Sequence, residues 1–337
     1  MVRLKDVARQ AGVSITTVSH VVNQSRAVAP ATRVRVQRAI KELGYRPDTI
    51  ARSLQSRRSR TIGMIVTSAD NPFFSALIRG VEDHCFDCGY SLMLCNADDI
   101  DNKQVAYLDS LQERRIDGLI VMTSRNGPNF VKALNRQALP TVMLDAATTP
   151  RPDIAVVNDD SRLGARIAID HLLAQGLEDI ALLTGPADHP RSKERLAGAL
   201  DALTNQGLAP PARRIIATNL QAQGGHAAMH DVLATGKAPQ AVFAFNDLVA
   251  IGAMRAAIEQ GLSLPRDLSV IGYDDIDIGR YTSPALTTIH QPIYELGATA
   301  IAQLIDRLEH DRPFDPVTAL PPRLVERESV RQTTAPC

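Results

Sequence analysis

The chain has 337 residues, of which 45% are hydrophobic, 22% charged and 4% aromatic. These ordinary globular proportions exclude a disordered, collagenous or disulfide-scaffold chain and allow two or three domains. Basic and acidic residues balance at 37 each, yet residues 1–60 hold 13 Lys/Arg against three Asp/Glu, and the remainder 24 against 34; a head of +10 on a body of −10 suggests a polyanion partner for the head.

The first elements are short and helical. Leu4, Val7, Ala8 and Ala11 recur at helical spacing over 4–11, with Gly12 as the stop. Ser14 is an N-cap candidate for a second helix over 15–23. Val18, Val21 and Val22 face its inner side, leaving Ile15, Thr16, Ser19 and His20 outward. A loop with Pro30 leads to a third helix near 31–43, with Val34, Ala39, Ile40 and Leu43 inward. Two short helices joined at a glycine, followed by a third, make a helix-turn-helix unit. Its second helix lies in the DNA major groove, where Thr16 can exchange hydrogen bonds with base edges and Ile15 can touch a thymine methyl. Arg33, Arg35 and Arg38 suit phosphates or a solvated face. His20, one turn on from Thr16, reads as a base contact or a plain surface histidine.

Residues 47–60 form a linker, with Pro47 fixing the entry and Asp48 or Thr49 able to cap a helix of about nine residues, which is marginal alone in water. From Thr61 strands alternate with helices. Strands are expected at 61–66, 91–96, 118–122, 141–145 and 155–158, and helices at 72–88, 103–114, 128–137 and 161–175. A second series places strands at 179–184, 213–218, 240–245 and 268–273, and helices near 191–206, 224–234 and 247–260. Such repetition makes an α/β fold of two doubly wound parallel lobes, which bind ligands at the carboxyl ends of their strands.

Polar residues gather at those ends: Ser68, Asp70 and Asn71 beside Phe73 and Phe74, then Asp145, Asn246 with Asp247, Asp274 with Asp275, and His290 with Gln291. Each is individually compatible with a cap or turn; their shared placement favours a pocket for a polyhydroxylated or ring-shaped ligand. No P-loop, nucleophile elbow or HExxH motif is present, so an enzyme is not expected. His226 and His230 have metal-ligand spacing but no intervening Glu, and no metal or cofactor is assigned. Cys85, Cys88, Cys95 and Cys337 read as reduced thiols. No apolar run reaches about 18 residues and the N-terminus lacks a signal-peptide core, so a cytoplasmic protein without a membrane span is expected.

The run LKDVARQAGVSITTVSHVVN resembles the helix-turn-helix of the lactose-repressor family of bacterial transcription regulators, in its ribose- and purine-repressor branch. The resemblance extends over the chain and implies three parts: a DNA-binding domain over 1–46, a hinge helix over 47–60 and an effector-binding body over 61–337. The body's lobes would be 61–160 with 292–320, and 161–291 with 321–337, as in periplasmic binding proteins. It implies DNA contacts from Ile15, Thr16, Thr17, Ser19, His20 and Asn23, with Ala51 and Leu54 in the hinge. Leu54 matches the residue that wedges between base pairs, the alternative being that it packs on the body.

The junctions TSADNPFF, RLAGAL, FNDLVAIG, GYDD and TTIHQP imply effector contacts from Asn71, Phe73, Phe74, Arg195, Asn246, Asp274 and Gln291, and Asp145 matches a hydroxyl acceptor. Ala146 and Leu220 depart from the family, which carries larger or aromatic side chains there. Arg3 replaces a customary Thr cap, so a weaker first helix is expected. Only eight residues follow Ser329, too few for a tetramer-forming heptad, so a homodimer is expected. The resulting expectation is a repressor binding a pseudo-palindromic operator and released by a pentose such as ribose. The alternatives are a purine- or nucleoside-responsive regulator, a sugar-binding transport protein, and a sugar- or nucleoside-processing enzyme.

Overall fold

A computed structural model of the chain describes residues 2–23, 26–45, 58–68, 71–123, 125–146 and 149–332. The hinge positions Ala51 and Leu54, Asp70, Cys337 and the Asn23 side chain lie outside the described residues. The chain divides into two compact units, Met1–Arg60 and Thr61–Cys337.

The first unit holds three helices: α1 (Leu4–Ala11), α2 (Ile15–Asn23) and α3 (Pro30–Leu43). Pro30 opens α3 rather than sitting in the preceding loop, as suits a residue that cannot donate and has a helical φ. Arg3 offers α1 no side-chain cap, since a guanidinium cannot accept a hydrogen bond. Asp6 makes up part of that loss by accepting the Arg3 amide proton at 2.9 Å. Val7, Ala8, Ala11, Val18, Val21, Val36, Ala39 and Tyr45 form the core. Val34, expected inward, is 64% exposed and Val36 is fully buried instead. The buried stripe is Val36–Ala39–Ile40–Leu43, spaced i, i+3, i+4, i+7; Val34, two residues earlier, points to the opposite side.

The second unit contains two six-stranded sheets. In the first, β1 (Thr61–Val66), β2 (Ser91–Asn96), β3 (Gly118–Met122), β4 (Thr141–Leu144), β5 (Ile154–Asp159) and β11 (Val317–Leu320) run parallel in the order β11-β5-β4-β3-β1-β2. The second comprises β6 (Ile180–Thr184), β7 (Ile215–Ala217), β8 (Ala241–Ala244), β9 (Ser269–Asp274), β10 (Thr287–His290) and β12 (Arg323–Val325), in the order β12-β10-β9-β8-β6-β7. Only β12 is antiparallel. The central strands TIGMIV, GLIVM, TVML, IALLT and AVFA are almost wholly buried, as strands covered by helices on both faces must be.

The covering helices are α4 (Pro72–Asp87), α5 (Asp101–Glu113), α6 (Pro128–Asn135) and α11 (Ile293–His310) on the first sheet, and α7 (Ser161–Ala174), α8 (Pro190–Asn205), α9 (Ala222–Ala234) and α10 (Asp247–Glu259) on the second. α11 packs closely on α4, Gly297 against Leu77 and Val81 and Gly80 against the Tyr294 backbone, so the chain returns to the first lobe after completing β10. It crosses a third time through Pro321-Pro322, between β11 and β12. β4 stops at Leu144, one residue short of the expected end, because Asp145 turns to a left-handed φ of 53°. Among the described residues no helix is long and apolar enough to cross a membrane.

Candidate functional site

In the first unit, the hydroxyl of Ser14 accepts the Thr17 amide proton at 3.0 Å, capping α2 where its first turn begins. The Thr17 hydroxyl is itself 2.9 Å from the Ser14 oxygen, so its first duty is to this cap. Val18 and Val21 seat the helix on the core, which leaves Thr16 exposed and Ile15 53% exposed. Ser19 and His20 are half-buried on the flank. A β-branched apolar side chain held in water at a helix N-terminus, next to a hydroxyl, is a surface fit to meet base edges and methyl groups. On α3, Arg38 pairs with Glu42 at 2.7 Å, and Glu42 also accepts from Gln10 at 3.2 Å, tying α3 to α1; Arg33 and Arg35 are exposed.

In the second unit a cleft of about 370 Å³ opens between the lobes at the carboxyl ends of their strands. Asn71, Phe73, Phe74 and Asp145 line it from the first lobe; Arg195, Asn246 and Asp274 line it from the second. Asn71 caps α4, accepting from the Phe73 amide at 3.0 Å, so its NH2 remains for a ligand. Asn246 caps α10 through Val249 at 2.8 Å and donates to the Leu220 carbonyl at 2.9 Å. Phe73 and Phe74 meet edge to face at 5.2 Å, both at least nine-tenths buried, and together form an apolar wall of the cleft.

Arg195 forms the floor. Its guanidinium lies 3.6 Å over the Tyr273 ring, donates to the Phe245 carbonyl, and stands 3.7 Å from Asp274. Gln291, expected to touch the ligand, does not line the cleft: it is 1% exposed and accepts from Arg195 at 3.3 Å from behind. It therefore positions the arginine. Burial pushes the Asp274 carboxyl above its ordinary range despite the Arg195 charge. Burial also raises Asp145 to about 6, against the pull of Arg191.

Five lining residues, Asp98, Asp99, Asp145, Leu220 and Asp274, have positive φ (51°, 55°, 53°, 62° and 117°). Such backbone outliers in non-glycine residues concentrate at ligand sites.

The lobes touch each other across the cleft. Arg191 Nε on α8 lies 2.9 Å from Asp145, a buried ion pair that lacks hydrogen-bond geometry and so leaves both groups able to turn to a ligand. Arg125 meets Asp188 at 2.7 Å, but both side chains are more than half exposed, so this contact is weak. Deeper, the Tyr273 hydroxyl donates to Asp159 at 2.7 Å.

The sequence reading missed Thr67, Asp98, Asp99, Thr123, Arg125, His189, Arg191, Ser192, Asn219 and Gln221, all of which line the cleft. Most follow β1, β2, β3, β6 or β7, so the rule used for the other strand ends would have found them. Burial, with Arg195, Arg191 and Arg125 nearby, lowers His189 to about 4, so it faces the cleft as a neutral imidazole at pH 7. Ala146 is buried in the first lobe's core and is not among the lining residues, whereas Leu220 is.

Residues 3–48 match the family model "Bacterial regulatory proteins, lacI family", and residues 169–330 match a periplasmic binding protein-like domain. The chain is 41% identical to the HTH-type transcriptional repressor PurR of Edwardsiella ictaluri over 98% of its own length and 97% of that protein. It is also 41% identical to the ribose operon repressor of Escherichia coli, over 98% and 100% respectively. A lac repressor dimer bound to operator and the anti-inducer ONPF superposes with a TM-score of 0.89 at 31% identity, covering 97% of this chain and 98% of that one. A LacI family regulator from Enterococcus faecium with bound ribose gives 0.72 at 36% identity, covering 81% and 100%.

Proposed function

Because the chain belongs to the lacI family of bacterial regulatory proteins and is a DNA-binding repressor rather than an enzyme, we propose that it is a cytoplasmic homodimer that holds a pseudo-palindromic operator and is released from it by a pentose, with ribose the first candidate. The observation that carries the effector reading is the cleft itself. Asp145 and Asn71 from one lobe, and Arg195, Asn246 and Asp274 from the other, surround it with acceptors and donors for hydroxyl groups. A purine needs apolar contact on both ring faces. Phe73 and Phe74 supply one apolar wall, but Leu220 is aliphatic where a second aromatic could stack, while hydrogen-bonding groups face the cleft from both lobes. The ribose-bound relative supports the same reading.

The head reads the operator through Ile15, Thr16, Ser19 and His20, with Asn23 beside them, while Thr17 serves chiefly the cap. Ala51 and Leu54 belong to the hinge, and Leu54 is the apolar wedge of the proposal. A sugar that hydrogen-bonds both lobes stabilises their closed arrangement, and it releases DNA only to the extent that it prefers that state. A coupling of about 1–3 kcal/mol weakens operator binding roughly 5–150-fold.

Calorimetry of ribose, other pentoses, hypoxanthine and guanine against the purified chain, paired with operator gel shifts, tests the reading. Ribose should bind and release the operator, and Asp274→Ala should keep operator binding while abolishing release. If ribose leaves operator affinity unchanged and a purine tightens it, the corepressor reading replaces this one; equal identity to PurR and the ribose repressor makes that the second reading.

A further inference from the structure

The second lobe carries a cluster outside the effector cleft. His226 and His230 are four residues apart on α9, so both imidazoles emerge on one side of the helix, with ring centroids 4.7 Å apart. Glu259, at the end of α10, comes up beside them and its Oε2 lies 2.7 Å from His226 Nε2. One donor atom from each of the three side chains lies within 4.8 Å of the others, the one group of this kind among the described residues. We propose that His226, His230 and Glu259 bind a single divalent transition-metal ion of the Zn2+ class, cross-linking α9 to α10, with water in the fourth position.

The backbone beneath the cluster is closely fixed. A Cβ on Gly225 would lie 2.1 Å from the Val249 carbonyl oxygen, and one on Gly252 would lie 1.9 Å from that of Ala222, so the two helices cross at glycine distance. The ligand side chains therefore project from a rigid frame, and rotamer changes alone bring their donors to an ion. A tetrahedral ion with bonds of about 2.0–2.1 Å needs its donors about 3.3 Å apart. Glu259 and His226 must part by about half an ångström, and no pair needs to close by more than about 1.5 Å, both within the reach of χ rotations.

The surrounding groups suit the role. Arg255 takes the other carboxylate oxygen of Glu259 at 2.7 Å, leaving Oε2 turned to the histidines. The Gln260 amide lies 3.4 Å from His230 Nδ1, where an outer partner fixes a ligating ring. Two imidazoles and one carboxylate form a borderline donor set, suited to Zn2+, Ni2+ or Co2+ over Mg2+. A plain His226–Glu259 surface ion pair would explain those two residues but gives His230 no part, so His230 decides between the two accounts. The clamp joins helices whose N-terminal ends carry Gln221 and Asn246 at the cleft.

The test uses the untagged full-length chain, freed of metal with a chelator. Zn2+ titrated calorimetrically should bind at one ion per chain and raise the unfolding midpoint, while Mg2+ should do neither. His230→Ala and Glu259→Gln should each raise the Zn2+ Kd at least tenfold and cancel the midpoint rise, with circular dichroism unchanged. His230→Gln provides a second variant of similar size. Co2+ should give visible d–d bands without thiolate charge transfer. Absence of saturable uptake, a Kd that stays within twofold in both His230 variants, equal uptake of Mg2+, or thiolate bands from the cysteines would each overturn the proposal.

Discussion

Replacing Tyr273 by Phe removes a single oxygen at the junction of the two lobes. Tyr273, on β9, is fully buried, and its hydroxyl donates to Asp159, the last residue of β5 in the opposite lobe, at 2.7 Å. Burial, reinforced by the Asp159 charge, keeps the phenol well above its ordinary pKa, so the hydroxyl stays a donor. The oxygen fills the slot left by Gly164, where a Cβ would come within 2.3 Å of it. The substitution keeps the ring, its core contacts and its stack beneath Arg195. It leaves Asp159, 3% exposed, with only the Ser161 hydroxyl at 2.9 and 3.1 Å.

A buried hydrogen bond to a charged group contributes about 1.5–3 kcal/mol, and the vacated space is too small to gain a water. About 2 kcal/mol in a body of this size lowers the unfolding midpoint by roughly 3–4 °C. Thermal circular dichroism of both proteins at one chain concentration and pH 7 measures it. Ser161→Ala combined with Tyr273→Phe should cost more than the sum of the single changes, because Asp159 then loses both donors. A midpoint shift under about 1 °C would mean that Asp159 finds another partner, and the interlobe bond would carry none of the stability assigned to it.

Asp247 contributes to the pH dependence of stability, alongside the raised carboxyls of Asp145 and Asp274. Burial raises its carboxyl from 3.8 to about 7, although the Thr288 hydroxyl and the Ile276 amide both donate to it. Between about pH 4 and 7 the folded chain then holds a proton that the unfolded chain releases, so this residue's contribution to stability falls as pH rises through that window, by a few kcal/mol in all. Urea midpoints at pH 5 and 7, measured on both proteins, should change less with pH in Asp247→Asn than in the unaltered chain; the same change in both would refute the assignment. In the head, His20→Ala should weaken and relax operator binding by about 1–3 kcal/mol if the ring meets a base. Unchanged affinity for the operator and its mismatched versions, measured by gel shift, would remove His20 from the reading face.

The fold was legible where a period persisted. Apolar runs such as GLIVM and IALLT announce strands buried on both faces, and Val7-Ala8-Ala11 announces a helix. The reading slipped at Val34 because α3 offers a valine on either side of its axis, and only the packing of α1 and α2 selects Val36. The closing elements were harder. β11 and β12 have four and three residues with alternating or partial burial, so their pairing with β5 and β10 is a tertiary fact. In the cleft, Asp145, Asn246 and Asp274 follow from the strand-end rule, whereas Gln291 obeys the rule in position and breaks it in direction, turning back to hold Arg195. Arg191 was missed because it lies on a helix beyond the loop after β6. The histidine pair was set aside for want of a Glu within its own helical turn; the carboxylate comes from 29 residues beyond His230, across a helix crossing that local spacing does not register.

The two lobes are joined by three strands of chain, one of them the dipeptide Pro321-Pro322. Prolines hold φ near −65°, so this tether behaves as a strut rather than a string. Two bodies held at three points, one of them stiff, have little freedom to twist or slide and retain mainly one bending angle. The output of the body is then a single scalar, how far the jaw is shut, whatever chemistry shuts it. Side chains lining the cleft can be exchanged to suit a new effector while the signal passed onward keeps the same form, so the input vocabulary of such a switch can change without rewriting its output.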